Sequence, residues 1–494
     1  MNVMKKTAVV AALTFATVCV RAALPQPEIL VQIHFAGGVA VAADKNYAAF
    51  KNEFSSPEAV ALRQQTAGKL ARFFAQWFAQ VSGSAAPAGA TALRPLLDDL
   101  QNDEWFLDVR DVNGKAEAAL AVKTANAQRW QSALQPFFPA ASFQSADGWT
   151  VFRTGAKAPD LAGKILALNG AWLSLDVNWP ALGKFFPSVR TLDLPETKFS
   201  FAANATDFKI DGKFFFPQNL TAVADAWQLP AKIMDPSFVS FTAVRGIAGW
   251  LGKQPWLPDW PLNPVPNQIF SWGLPNAPFQ WYAAVPRADA TAALQQAVGR
   301  LEPKLAAAYA SHEIQVPLTL SQSGKQAKLT GLPMFAAPYL EAVDGAAGQF
   351  LLAGGFPTGP VGSRPLPPEI FKQLAQKNLF YYHWEVTAEC EPGLLQLSQF
   401  SLMVTRHKQL GDQEAAFKWI QMICPKLGNC VTEVRQTAPD QMTFSRKAPG
   451  ALTTAEFFAL ANWLESENFP GCKLKLSPLG PHSVKRPATP APGK

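Results

Sequence analysis

The chain has 494 residues, 48% of them hydrophobic and only 16% charged, a length beyond the usual single core and suited to two or more domains. Its formal charge of +7 sits at the ends: Lys5, Lys6 and Arg21 near the start and Lys485, Arg486 and Lys494 near the finish, with no acid in either segment. The body between them is close to neutral, which removes the argument for nucleic acid as a partner.

Lys5 and Lys6 precede the apolar run Thr7 to Val18, and Val20-Arg21-Ala22 follows. Positive start, short apolar stretch and small residue at the exit are the three parts of a secretory signal, here residues 1–22. Cys19 lacks the small residue that a lipoprotein signal needs just before it, so no lipid anchor is expected. After Leu24 no apolar run approaches the roughly 20 residues of a transmembrane helix, so no span is expected beyond the signal.

Glu28 to Phe35 reads as a strand. Ser56 and Pro57 then supply a cap and a first helical position, and Leu70, Phe73, Phe74, Trp77, Phe78 and Val81 recur at helical spacing, which predicts a helix over 57–81 with one core face. Trp105 to Arg110 and Ala116 to Lys123 flank Asn113-Gly114 and predict an antiparallel hairpin. Thr124 is placed to cap a helix carrying Trp130, Leu134 and Phe137. Strands follow at Trp149 to Arg153, Ala171 to Val177 and Lys198 to Asn204, and Asp211-Gly212 suggests a further hairpin within Phe208 to Phe216.

A similar order returns later in the chain. Gln280 to Val285 is a predicted strand, and Ala293-Leu294-Gln295 in the helix after it matches Ala133-Leu134-Gln135 at an offset of 160. Gln349 to Ala353 stands against Ala171 to Leu175 at 178, and Asn378 to Tyr382 against Lys198 to Ala202 at 180. These offsets predict an α+β fold of two related halves, 23–225 and 226–475, each a mainly antiparallel sheet packed by helices. The segment 250–281 between them is rich in Trp and Pro, which excludes long helices. Its Trp256, Trp260 and Trp272 are candidates for stacking on a sugar or an extended peptide, with packing between the halves as the other reading. The tail 476–494, dense in proline, is expected to be disordered.

Cys390, Cys424, Cys430 and Cys472 all fall in the second half. Export favours disulfides; three pairings are open, with Cys424–Cys430 helped by the turn residues between them. Their spacing is too wide for zinc knuckles. The five histidines show no metal-ligand spacing, and neither a G-x-S-x-G elbow nor a phosphate or dinucleotide loop is present. No metal and no cofactor is therefore expected. Asp98, Asp99, Asp103, Glu104, Asp108 and Asp111 lack the pattern of a calcium loop and read as a solvated acidic face. His383 and Glu385 share one face of a predicted strand and are the catalytic candidates, as base and orienter, with a cross-strand pair on the sheet surface as the other reading.

In its plan, with a leader, two α+β halves and strand-turn segments such as Leu168-Asn169-Gly170-Ala171-Trp172-Leu173-Ser174-Leu175, the chain resembles a group of uncharacterised exported bacterial proteins. That resemblance implies an envelope location and transfers no functional residue. The sequence thus points to an exported, periplasmic or extracellular, non-catalytic protein that binds an envelope protein, polymer or extended ligand. A hydrolase of envelope polymers without a local motif is the alternative. Cleavage after Ala22 or Ala23 is the first prediction; mass spectrometry of protein purified from its native host reads it directly, and an intact Met1 would refute it.

Overall fold

The computed structural model describes residues 28–82, 89–155, 166–190, 193–220, 224–253, 263–275, 280–311, 319–332, 337–346, 348–356, 366–405, 414–466 and 469–471. The proposed leader, Trp256, Trp260, Cys472 and the tail lie outside them.

The fold is α+β, built on one large antiparallel sheet. Its strands in the N-terminal half are β1 (Glu28–Phe35), β2 (Trp105–Val112), β3 (Lys115–Lys123), β4 (Ser142–Ala146), β5 (Trp149–Arg153), β6 (Leu173–Val177), β7 (Glu196–Ala203) and β8 (Phe208–Phe215). Those in the C-terminal half are β9 (Ser240–Arg245), β10 (Gln268–Gly273), β11 (Trp281–Arg287), β12 (Thr319–Ser323), β13 (Gln326–Thr330), β14 (Tyr339–Gly345), β15 (Gly348–Gly354), β16 (Leu379–Val386), β17 (Asn429–Ala438) and β18 (Gln441–Ala448).

The pairings run without a break in the order β4-β5-β3-β2-β1-β6-β7-β8, then across β8–β18, then β18-β17-β16-β9-β10-β11-β15-β14-β13-β12. Omitting the hairpin β12–β13, the second set read from its far end is β14-β15-β11-β10-β9-β16-β17-β18. That is the order of the first set, strand for strand. The strands that occupy equivalent places are not those matched by sequence offset. β15 stands between β14 and β11, where β5 stands in the first half, whereas Ala171 to Leu175 leads into β6; likewise β16 takes the place of β6, not of β7.

Local sequence explains most elements. Helix α1 (Pro57–Ser82) starts where Ser56 Oγ accepts the Ala59 N–H at 3.1 Å, and its buried Leu70, Phe74 and Phe78 are part of the predicted stripe. Asn113 and Gly114 adopt φ of 58° and 77°, the left-handed pair that a tight hairpin needs. Thr124 does not cap the next helix, α3 (Ala127–Leu134), whose cap position is Asn126; the Thr124 hydroxyl instead takes the Asn126 N–H. Nor does Asp211-Gly212 turn. Both lie within β8, and a Cβ on Gly212 would come within 2.4 Å of the Phe199 ring, so this glycine serves close approach between strands rather than a bend.

One face of the sheet carries α1, α2 (Gly89–Asn102) and α3 of the first half and α4 (Ala290–Ala310), α7 (Ala415–Ile423) and α8 (Thr454–Glu465) of the second, with the α6 helix (Thr387–Thr405) beside them. Its main core runs across both halves: Leu70, Phe74, Trp105 and Trp130 are continuous with Phe417, Trp419 and Phe457. Glu465 pins the two sets of helices together. One carboxylate oxygen caps α7 through the Ala416 N–H at 2.9 Å, and the other accepts from Lys69 at 3.0 Å and from Gln65, both on α1.

On the opposite face the second half has its own core, around Phe241, Phe270, Trp272 and Leu352 under α5 (Pro368–Leu374). Arg245 closes it. Buried at the end of β9, its guanidinium donates to the carbonyls of Leu379 (2.8 Å), Asp225 (2.7 Å), Lys377 (2.6 Å) and Gln376 (3.3 Å) and lies 4.5 Å from the centre of the Trp227 ring. These carbonyls belong to the connection entering the second half (Asp225), to the turn after α5 (Gln376 and Lys377) and to the first residue of β16 (Leu379), so a single side chain ties three segments to β9. Arg245→Ala should lower stability by about 3 kcal/mol or more, because buried carbonyls lose their donors. Arg245→Lys should recover only part of it, since one ammonium cannot fork to four acceptors; urea unfolding of the three proteins measures the order.

Candidate functional site

Strand alternation puts Phe380, Tyr382 and Trp384 on one face of β16 and Tyr381, His383 and Glu385 on the other, toward the helices. Cross-strand neighbours extend this into a polar row. Thr242 of β9 lies opposite His383, and His383 opposite Thr432 of β17. Thr432 in turn lies opposite Arg446 of β18. One step along, Ser240, Glu385 and Cys430 are likewise in register.

The side chains join into one network. His383 Nδ1 is 2.8 Å from Thr242 Oγ1. Its Nε2 is 3.3 Å from Glu385 Oε2, within ion-pair range but off the line of a hydrogen bond. Glu385 Oε1 accepts from the Thr454 N–H at 2.6 Å, the Thr454 hydroxyl at 2.8 Å and the Thr387 hydroxyl at 3.2 Å. Thr454 opens α8, so this carboxylate also occupies a helix N-terminus, where a negative charge is favoured. The adjacent residue Thr453 forms a capping box with Glu456, and Glu456 receives the Arg446 guanidinium through two bonds, 2.6 and 3.0 Å. Arg446 Nε completes the row on Thr432 Oγ1 at 2.8 Å.

Burial alone would raise the carboxyl pKa of Glu385, but His383 and the Thr454 donors outweigh it and hold the group below its ordinary value of 4.5. Arg446 is equally committed: burial opposes its charge, and Glu456 restores it. The expected disulfide is absent among the described cysteines. Cys390, Cys424 and Cys430 are free buried thiols. Burial, reinforced by the charge of Glu385, pushes Cys390 up to about 12; for Cys430 burial does so despite nearby Arg446, again to about 12, and Cys424 is raised too. Thiols in that state are poor nucleophiles at neutral pH. The pocket beside them, bounded by Ser240, Gly273, Trp281, Glu389, Cys390 and Gly393, has room for about one water molecule.

The aromatic candidates separate. Trp272 is a core residue of β10, 1% exposed and stacked on Tyr282 with ring centres 5.5 Å apart, so it is not open to a ligand. Trp256 and Trp260 lie outside the described residues. The acidic group is not one solvated face either. Asp98 pairs with Arg94, Asp99 with Arg129 and the Trp130 indole, Glu104 with His34 and Lys123, and fully buried Asp108 with Gln32 and Arg110. Asp111 accepts the Gly114 N–H in the hairpin turn. Among the described residues no cluster of three or more His, Cys, Asp or Glu could hold a metal ion, and no helix is long and apolar enough to cross a membrane.

Sequence reasoning brought His383 and Glu385 together and missed Thr242, Thr454, Arg446 and Glu456. The Thr453-x-x-Glu456 box was legible as a helix start; nothing local tied it to β16. No protein-family model, no curated protein and no solved structure matches this chain.

The pH dependence of the network has a definite sign. Glu385 has a folded-state pKa below its unfolded one, so it contributes stability above about pH 4.5 that is lost as pH falls through the folded value. Glu385→Gln should cost about 1–3 kcal/mol at pH 7, and the gap to wild type should close as the pH is lowered below 4.5. Denaturant unfolding of both proteins across pH 3 to 7 checks it; a gap independent of pH would refute the assignment.

Proposed function

We infer that this is an exported, non-catalytic protein of the cell envelope that binds a partner or an extended ligand. The observation that carries the reading is the state of His383 and Glu385. A base and its orienter need a substrate beside them, whereas here Glu385 spends one oxygen on three donors of the framework, and the pocket at its cross-strand neighbour Ser240 admits about a water molecule. The leader and the neutral body support export without a polyanion partner. The common strand order of β1–β8 and of β9–β11 with β14–β18 supports descent of the two halves from one duplicated unit, with β12–β13 as a later hairpin.

Trp256 and Trp260 remain the aromatic residues proposed for the ligand. Affinity capture from envelope extract should recover the partner with wild type and lose it with the Trp256→Ala/Trp260→Ala variant; equal recovery would reject the aromatic platform. In parallel, turnover of envelope polymers should not differ between wild type and His383→Gln. A hydrolysis lost in His383→Gln would replace this reading with the enzyme.

A further inference from the structure

Among the described residues the sheet ends on two strands that pair on one side only, β4 with β5 and β12 with β13. Each has five residues, four of them exposed: Ser-Phe-Gln-Ser-Ala and Thr-Leu-Ser-Gln-Ser. Neither contains the charge or proline that usually blocks an edge.

The turns fix which backbone groups point outward. Asp147-Gly148, with φ of 52° and 79°, closes β4 on β5 as a two-residue loop, and Gly324-Lys325 does the same for β12 on β13. The residues flanking such a loop exchange both hydrogen bonds, the next pair exchanges none, and the alternation continues along the strands. Phe143 and Ser145 in β4, and Leu320 and Gln322 in β12, therefore turn their N–H and C=O away from their own hairpins. The two edges present the same pattern.

Facing and direction match as well. Phe143 packs beside Phe152 on the helix-covered side, and Leu320 joins the core under α4 on that same side. With eighteen strands alternating in direction, the first and last run opposite ways. A second copy set alongside with its helices on the same face thus brings its β12 antiparallel to the first copy's β4. The chain already uses such an edge internally: β14, which stands where β4 does in the strand order, is covered by β13.

We propose that copies of this chain associate head to tail, β12 of one adding to β4 of the next by antiparallel backbone pairing. The contact is heterologous, so each added copy leaves one edge open, and growth continues unless the rotation closes a ring. The partner proposed here is the chain itself and does not depend on the envelope ligand.

Sedimentation of the full chain should show a mass that rises with concentration. Ser145→Pro removes an outward donor from β4, and Gln322→Pro one from β12, without touching the bonds inside either hairpin. Each variant alone should be monomeric. Their equimolar mixture should stop at twice the chain mass, because one variant retains β12 and the other β4. Hydrogen exchange on wild type gives a reading free of variants: Phe143, Ser145, Leu320 and Gln322 should gain protection as concentration rises. A wild type that stays monomeric, a single variant that assembles like wild type, a mixture that stays monomeric, or protection independent of concentration would each overturn the proposal.

Discussion

The pairing of β8 with β18 is the constraint on which the rest of the structure depends. Eight residues on each side, Phe208 to Phe215 against Gln441 to Ala448, join two sets of strands that would otherwise each end in a row of unpaired amides and carbonyls. The seam holds because its side chains allow two strands and their neighbours to come close. Gly212 lies under the Phe199 ring, which also packs edge-on against Phe444 at 5.5 Å between centres. A side chain at Gly212 would push β7 away from β8 just where β18 docks. Once the seam is made, the helices of both halves share one face, and Glu465 with Lys69 and Gln65 can bridge them. The helix contact is thus downstream of the sheet contact.

The polar row beside the seam looks expensive, and its cost explains its form. Burying Glu385, Arg446, Thr432 and His383 between sheet and helices removes their hydration, and a buried ion pair seldom returns more than apolar packing would. What such groups supply is position. Glu385 fits only if the N-terminus of α8 stands over β16, and Arg446 only if Glu456, one turn further on, stands over β18. A rotation or slip of α8 would strand both charges at once. The network therefore fixes where the last helix sits, a job for which apolar side chains, indifferent to direction, are poorly suited.

How much of this was legible in the sequence follows from the range of the determining contact. β1 and β5 could be read to the residue because alternation and turn chemistry are local, as could the Ser56 cap and the Asn113-Gly114 turn. Asp211-Gly212 carries the same dipeptide signal as a hairpin, yet β8 runs straight through it; the deciding contact is Phe199, which belongs to another strand. Trp272 lies in a segment rich in tryptophan and proline that fitted either ligand stacking or packing, and its place in β10 against Tyr282 puts it in a core. Among the described residues the expected disulfides do not form: Cys390 on α6, Cys424 at the end of α7 and Cys430 in β17 are buried free thiols on three separate elements, and which elements come together is not a local property of the sequence. At the candidate site, residues two apart on a strand were visible as a pair, whereas the threonines and Arg446 that give the pair its role come from five other elements, β9, β17, β18, α6 and α8.

The repeated strand order shows why linear comparison is a weak instrument for this chain. From β1 to β9 the starting residues differ by 212, from β2 to β10 by 163, and from β7 to β17 by 233. The offset falls and then climbs because the long helical connection lies between β1 and β2 in the first half and between β16 and β17 in the second. Offsets that only grow pass over the strands in equivalent places and match neighbouring strands of similar apolar pattern, such as Ala171 to Leu175 with β15. Side-chain identity helps little, since a sheet position asks only for a residue of the right polarity on the right face. Strand order is different in kind: each connection must reach its partner strand without crossing another on the same edge, so order resists change when connection length and residue identity do not. Pairing topology is therefore where a relationship between the halves would survive longest, and the common order is found there.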